Sequence, residues 1–249
     1  MMKTVDILAF SPHPDDAELG CGGGLILSVK KGFKVAIADL TEGDRSSRGS
    51  PMERKNEKER AMALMGLCAR YSLEFPDTGI STGEPHMIAV IELIRKLKPR
   101  IVLAPYWHDR HPDHCAAGKL IRAACFYSGV ASIGEKKPFR PDGVFYYMIH
   151  SPFSPSFIMD ISSVWKQKKD VLKVYMTQFS REDPMLYPTA ISDPGFMDYH
   201  EAKCVYFGAM IGVRYGEPFF TPGPVYTDEF PGAGDPGSRD GRFLAYKSI

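Results

Sequence analysis

Residues 5–16 read Val5-Asp6-Ile7-Leu8-Ala9-Phe10-Ser11-Pro12-His13-Pro14-Asp15-Asp16. A short apolar run ends in a polar, proline-bearing loop that carries one imidazole and two adjacent carboxylates. Glycines follow at once, in Gly20-Cys21-Gly22-Gly23-Gly24. This is the pattern of a buried strand whose end opens onto a ligand or metal site, as in open α/β sheets. Further along, Ile101-Val102-Leu103-Ala104 is followed by Asp109-Arg110-His111-Pro112-Asp113-His114. Two strand ends with the same chemistry predict one shared site.

Working outward, apolar spacing predicts strands over 5–10, 33–40, 71–75 and 101–104. It predicts helices over 19–31, 53–67, 85–98 and 114–127. Such alternation defines an α/β fold, with a mostly parallel sheet and helices on both faces. Beyond it the pattern is less regular: strands are expected over 143–147 and 156–160, and helices over 164–175 and 199–211. Residues 180–195 read as a loop, and 221–249 as an extended Gly- and Pro-rich tail, either flexible or packed on a neighbouring subunit. The chain, 1–249, is read as a single domain without internal repeats.

The bulk composition narrows the function classes. Hydrophobic residues make up 44% and charged residues 24% of the 249, as in ordinary globular proteins. A formal net charge of +1 gives no electrostatic case for nucleic acid or an anionic membrane. No apolar run approaches the roughly 18 residues of a membrane span. Asp6 interrupts any signal-peptide core, and the five cysteines are odd in number and widely spaced. The expectation is a cytoplasmic protein with reduced thiols and a small-molecule substrate.

Imidazole and carboxylate suit zinc and other first-row divalent ions, so His13, Asp16 and His114 are the candidate metal ligands. The same donor set also suits the Fe2+ of oxygenases, and it leaves that chemistry open. Two adjacent carboxylates do not readily point at one ion. With Asp16 on the metal, Asp15 is free to take a proton from a water activated there, or else it caps the following helix. His111 and His114 are three residues apart at a helix start, where Pro112 fits the first turn. One of them can ligate while the other meets the substrate. Asp113 either orients a ring nitrogen or caps the helix. Arg54 and Arg110 are the candidates for a carboxylate or phosphate on the substrate. The glycine cluster matches neither G-x-G-x-x-G nor a P-loop, and is read as close packing of the first helix on the sheet.

His13-Pro14-Asp15-Asp16-Ala17-Glu18-Leu19-Gly20-Cys21-Gly22-Gly23 closely resembles the first motif of the LmbE/PIG-L family of zinc-dependent N-deacetylases. Asp109 through His114 resemble its second motif. Leu40-Thr41-Glu42-Gly43, Phe145-Tyr146-Tyr147 and Gln178-Phe179 are similar to supporting family segments. The best match is to the bacillithiol-pathway branch, the N-acetyl-α-D-glucosaminyl L-malate deacetylases. The resemblance implies a Rossmann-like three-layer fold, Zn2+ on His13, Asp16 and His114, and Asp15 as general base. It implies His111 as the group that stabilises the oxyanion or protonates the amine, with Asp113 as its partner. Arg54 and Arg110 would meet the malate carboxylates. The resemblance also implies a GlcNAc-containing substrate and a homo-oligomer.

Overall fold

In a computed structural model, residues 4–179 and 187–225 are described. The elements run β1 (Ile7–Ser11), α1 (Asp16–Lys30), β2 (Val35–Thr41), α2 (Pro51–Met65), β3 (Ala69–Phe75), α3 (Glu84–Leu97), β4 (Ile101–Pro105) and α4 (Pro112–Tyr127). Then follow β5 (Gly143–Tyr147), β6 (Phe157–Asp160), α5 (Trp165–Leu172), α6 (Met176–Phe179), α7 (Gly195–Met210) and β7 (Gly216–Phe220).

Among the described residues the strands form one sheet in the order β3-β2-β1-β4-β5-β7-β6. The first five are parallel, and β7 runs antiparallel to both β5 and β6. Chain order moves outward from β1 through β2 to β3, then jumps back to place β4 on β1's other side. The crevice beyond the ends of β1 and β4 is therefore the topological switch point, where such sheets hold ligands.

Alternation along the central strands serves two cores. Leu8, Phe10, Ala36, Ala38 and Leu40 join the layer with α3 and α4. Ala9, Val35 and Ile37 join the opposite layer with α1, α2 and α5. Both faces of β2 are covered, so all seven of its residues are buried. The ends of α2 are set locally: Ser50 and Glu53 form a reciprocal capping box, Pro51 opens the first turn, and Gly66 closes the helix at φ 71°.

The glycine-bearing helix begins earlier than its apolar spacing indicated, at Asp16 rather than residue 19, and it contains the whole glycine cluster. The cluster is a packing device. Glu217 of β7 accepts the N–H groups of Gly23 and Gly24, each at 2.7 Å. Lys168 of α5 donates to Leu19 O at 2.8 Å and pairs with Glu217 at 2.6 Å. A buried ion pair thus reaches two groups, Gly23 N–H and Leu19 C=O, that face each other in a regular helix ladder. A Cβ on Gly23 would lie 2.7 Å from Ile161 and 2.9 Å from Glu217 Oε1.

Two further expectations change, and one strand is added. The helix expected over 164–175 is a 3-10 turn (Ser162–Val164) running into α5, followed by the separate short α6. The final helix starts at Gly195 rather than 199. Strand β7 was not foreseen, because Gly216 and Pro218 mask its apolar run. Of the expected loop at 180–195, residues 180–186 lie outside the described residues, and a 3-10 turn (Ala190–Ser192) sits in the rest. Of the expected tail, only 221–225 are described.

Candidate active site and metal centre

The loop after β1 brings His13, Asp15 and Asp16 to the switch point, and the start of α4 brings His111, Asp113 and His114 to it. His13 Nδ1 lies 3.0 Å from Asp16 Oδ2, and His114 Nε2 lies 3.2 Å from the same oxygen. Adjacent donors of a tetrahedral ion with 2.0–2.1 Å bonds stand about 3.3 Å apart. Both imidazoles therefore meet one Asp16 oxygen at about the spacing of adjacent donors on an ion. His13, His111 and His114 also bring ring nitrogens within 4.8 Å of one another.

Burial alone pushes the His13 and His114 rings down, but their carboxylate partners reverse the balance. His13 is held well above its usual value by Asp113, Asp16 and Asp77. His114 is raised to about 9 by Asp16 and Asp109. Asp16 is held well below the usual carboxylate range by the two imidazoles, despite its burial.

Asp15 behaves differently from its neighbour. It is 5% exposed, and its carboxyl is pushed up to about 7 by burial, with Asp16 adding repulsion and Arg54 opposing. Its backbone sits at φ 122°, a region that L-residues rarely occupy. No side-chain bond from it caps α1, so the helix-cap reading does not describe this carboxylate. Thr78 is a second left-handed residue at the site, at φ 65°. Strain of about 1–3 kcal/mol per residue concentrates where the surrounding structure enforces it, commonly at functional sites.

His111 is the N-cap of α4: its Nδ1 accepts the Asp113 N–H at 3.2 Å. Nδ1 is therefore unprotonated, and the neutral ring carries its proton on Nε2. Burial and the neighbouring imidazoles His114 and His13 hold this ring below its ordinary value. Its centroid is 4.9 Å from His13 and 4.6 Å from His114.

Asp113 meets the His111 ring through its backbone N–H, while its carboxylate bonds elsewhere. Its Oδ2 accepts Thr78 N–H at 2.9 Å and lies 3.3 Å from His13 Nε2. The reason is local: His111 Nδ1 already faces the backbone of Asp113, so the Asp113 carboxylate turns toward the β3–α3 loop.

The two arginines part company. Arg54 is 3% exposed, donates to Pro14 O at 2.8 Å, and has Nη1 3.6 Å from Asp15 Oδ2. It buttresses the β1–α1 loop from beneath. Arg110 is exposed, and its charge helps to depress the half-buried His150 ring to about 4, an effect led by burial.

Sequence reasoning missed Asp77 and His150 and gave Asp109 no task. Asp77 Oδ1 lies 3.3 Å from His13 Nε2. Asp109 Oδ1 lies 3.1 Å from His114 Nδ1, and the His150 and His114 rings stack with centroids 5.4 Å apart. Their signal was positional: Asp77 follows the end of β3, and His150 follows the end of β5.

A mostly parallel α/β sheet with His13, Asp16 and His114 gathered at its switch point defines a class of candidate metal-site proteins. The family described as PIG-L, GlcNAc-PI de-N-acetylase, matches residues 8–125. The crystal structure of the conserved protein TT1542 from Thermus thermophilus is 37% identical, with a TM-score of 0.83 over 90% of this chain and 97% of that one. The chain belongs to the PIG-L/LmbE family. The diacetylchitobiose deacetylase of Thermococcus kodakarensis is 28% identical over 87% of this chain and 83% of its own length. A probable N-acetyl-alpha-D-glucosaminyl L-malate deacetylase 2 of Bacillus subtilis is 26% identical over 69% of this chain and 82% of its own. A 4-oxalmesaconate hydratase of Pseudomonas putida is likewise 26% identical, over 65% and 69%. Family membership by itself therefore does not fix the reaction, and the side chains must.

Proposed function

We propose that this chain is a metal-dependent amidohydrolase that removes the acetyl group from an N-acetylglucosamine conjugate, with N-acetyl-α-D-glucosaminyl L-malate as its substrate. One observation carries the reading: Asp15, buried and raised to about 7, stands beside but apart from the donors of His13, Asp16 and His114. The donor set fits zinc, and Fe2+ suits it as well. A divalent cation on His13, Asp16 and His114 would acidify a water and polarise the amide carbonyl.

Asp15 accepts the proton of the attacking water and returns it to the sugar nitrogen as the C–N bond breaks. A carboxyl near 7 suits both directions of that transfer. The Nε2–H of His111 donates to the carbonyl oxygen as negative charge gathers there. Its proton is fixed by the helix N–H bound at Nδ1, so no reorganisation is needed at the moment of reaction. Acetate and the free amine are the products. In this reading the enzyme is a cytoplasmic homo-oligomer, and the exposed Tyr199, Tyr206 and Met210 of α7 offer an apolar face for assembly.

A second substrate reading, an N-acetylglucosamine oligosaccharide, draws support from the 87% span of the diacetylchitobiose deacetylase alignment. Arg110 separates the two. With Arg54 buried against Asp15, Arg110 is the remaining candidate cation for a malate carboxylate. Arg110→Ala should raise KM for the malate conjugate about tenfold, the scale of one exposed charge-assisted hydrogen bond. It should leave N,N'-diacetylchitobiose unaffected. Steady-state acetate release on both substrates checks this, and equal effects on the two would remove the malate assignment.

A further inference from the structure

The outer nitrogens of the two ligand imidazoles are held in the same way. His114 turns Nε2 to Asp16, while its Nδ1 lies 3.1 Å from Asp109 Oδ1. His13 turns Nδ1 to Asp16, while its Nε2 lies 3.3 Å from both Asp77 Oδ1 and Asp113 Oδ2. An ionised carboxylate only accepts, so each outer nitrogen carries a proton; with a cation in place of the proton shared with Asp16, each inner nitrogen would present a lone pair. This is the arrangement that fixes tautomer and ring orientation in carboxylate–histidine–metal sites.

The second oxygen of each carboxylate has its own task. Asp109 Oδ2 accepts the N–H groups of His150 and Ser151, both at 3.0 Å. Asp109 Oδ1 also accepts the His111 N–H at 3.0 Å. Asp77 Oδ2 accepts the Arg45 N–H at 2.9 Å. One carboxylate thus ties His114 to the loop after β5, and the other ties His13 to the loop after β2. Both are almost inaccessible, with side-chain exposures of 4% and 7%, so water does not compete for them.

We propose that Asp109 and Asp77 are positioning residues for the metal centre, Asp109 orienting His114 and Asp77, alongside Asp113, orienting His13, each while anchoring a loop of the site. The inference rests on the reading of His13, Asp16 and His114 as ligands. It adds two groups that neither motif assigns: Asp77, which lies outside both motifs, and Asp109, which the second motif contains without a role.

The test uses the full chain, stripped of metal, with Asp109→Asn and Asp77→Asn made separately and Asp142→Asn, at an exposed ion pair, as control. Zn2+ affinity is measured by competition with a chelating dye, and the imidazole 15N shifts of the Zn2+-loaded proteins report each tautomer. An amide replaces one acceptor oxygen by a donor, so it cannot serve the imidazole N–H and the loop N–H groups together. Each variant is expected to bind Zn2+ about 10–100-fold more weakly, with altered 15N shifts at His114 for Asp109→Asn and at His13 for Asp77→Asn. The control should match the wild type. Thermal unfolding of the metal-free proteins identifies a variant that has lost its fold, in which case the other carries the test. Folded variants with wild-type affinity and unchanged 15N shifts would overturn the proposal while leaving the ligand assignment intact. A wild-type chain that takes up no divalent ion would overturn both. Tight Zn2+ binding without acetate release would remove the deacetylase reading and leave this inference standing.

Discussion

Asp15 is held at φ 122° and is 5% exposed beside an ionised neighbour. Neither condition favours stability, and the resulting carboxyl, raised to about 7, is suited to proton transfer. Asp15→Asn tolerates the same backbone and removes only the base. It should keep its metal while kcat falls by about 10²–10⁴, the usual share of general acid–base catalysis. Metal content and turnover measured on one preparation check this; loss of both together would mean that Asp15 ligates instead. Much at this scale was legible beforehand, because His13, Asp15, Asp16, His111 and His114 cluster in two short motifs. The partners of Asp113 and Arg54 were not. Which way a side chain turns depends on a helix cap at His111 and on the depth of α2, and neither is written in residue spacing.

Helix α1 carries four glycines at 20, 22, 23 and 24, each about 1 kcal/mol less favourable than alanine in a helix. Packing decides which of them can be replaced. At Gly22 an added Cβ meets nothing closer than 3.9 Å, so Gly22→Ala should stabilise by up to about 1 kcal/mol. At Gly23 the added Cβ would press on Ile161 and Glu217 at 2.7 and 2.9 Å. Overpacking costs about 1–3 kcal/mol and outweighs the gain in propensity, so Gly23→Ala should destabilise. Urea unfolding of the two variants gives shifts of opposite sign if this is right. The elements from β1 to α4 were readable in outline, α3 most plainly by its apolar period, whereas the glycines of α1 hid its first turn. Strand β7 was hidden: Glu217 makes sense only against α1, nearly two hundred residues earlier in the chain, and Gly216 only against β6 and α7.

The sheet brings four strand ends together at the switch point: β1 and β4 supply the two motifs, β3 supplies Asp77, and β5 supplies His150. The sequence could place the first two, because their chemistry is dense. Single residues such as Asp77 gain meaning only when the parallel order is known. Four carboxylates, Asp16, Asp77, Asp109 and Asp113, surround two imidazoles, an excess of negative charge that a divalent cation would offset in part. Metal at a hundred times its Kd stabilises the native state by about 2.7 kcal/mol. For a chain of this length, chelation should lower Tm by about 5–10 °C, which a calorimetric scan with and without chelator will read. The most direct test of the account is acetate release from N-acetylglucosaminyl malate and N,N'-diacetylchitobiose by the wild-type chain as purified, after chelation, after Zn2+ is restored, and by metal-loaded Asp15→Asn. The account predicts release from at least one conjugate, loss on chelation, recovery with Zn2+, and near-silence in the variant. Undiminished release from the chelated wild type or from the variant would contradict it.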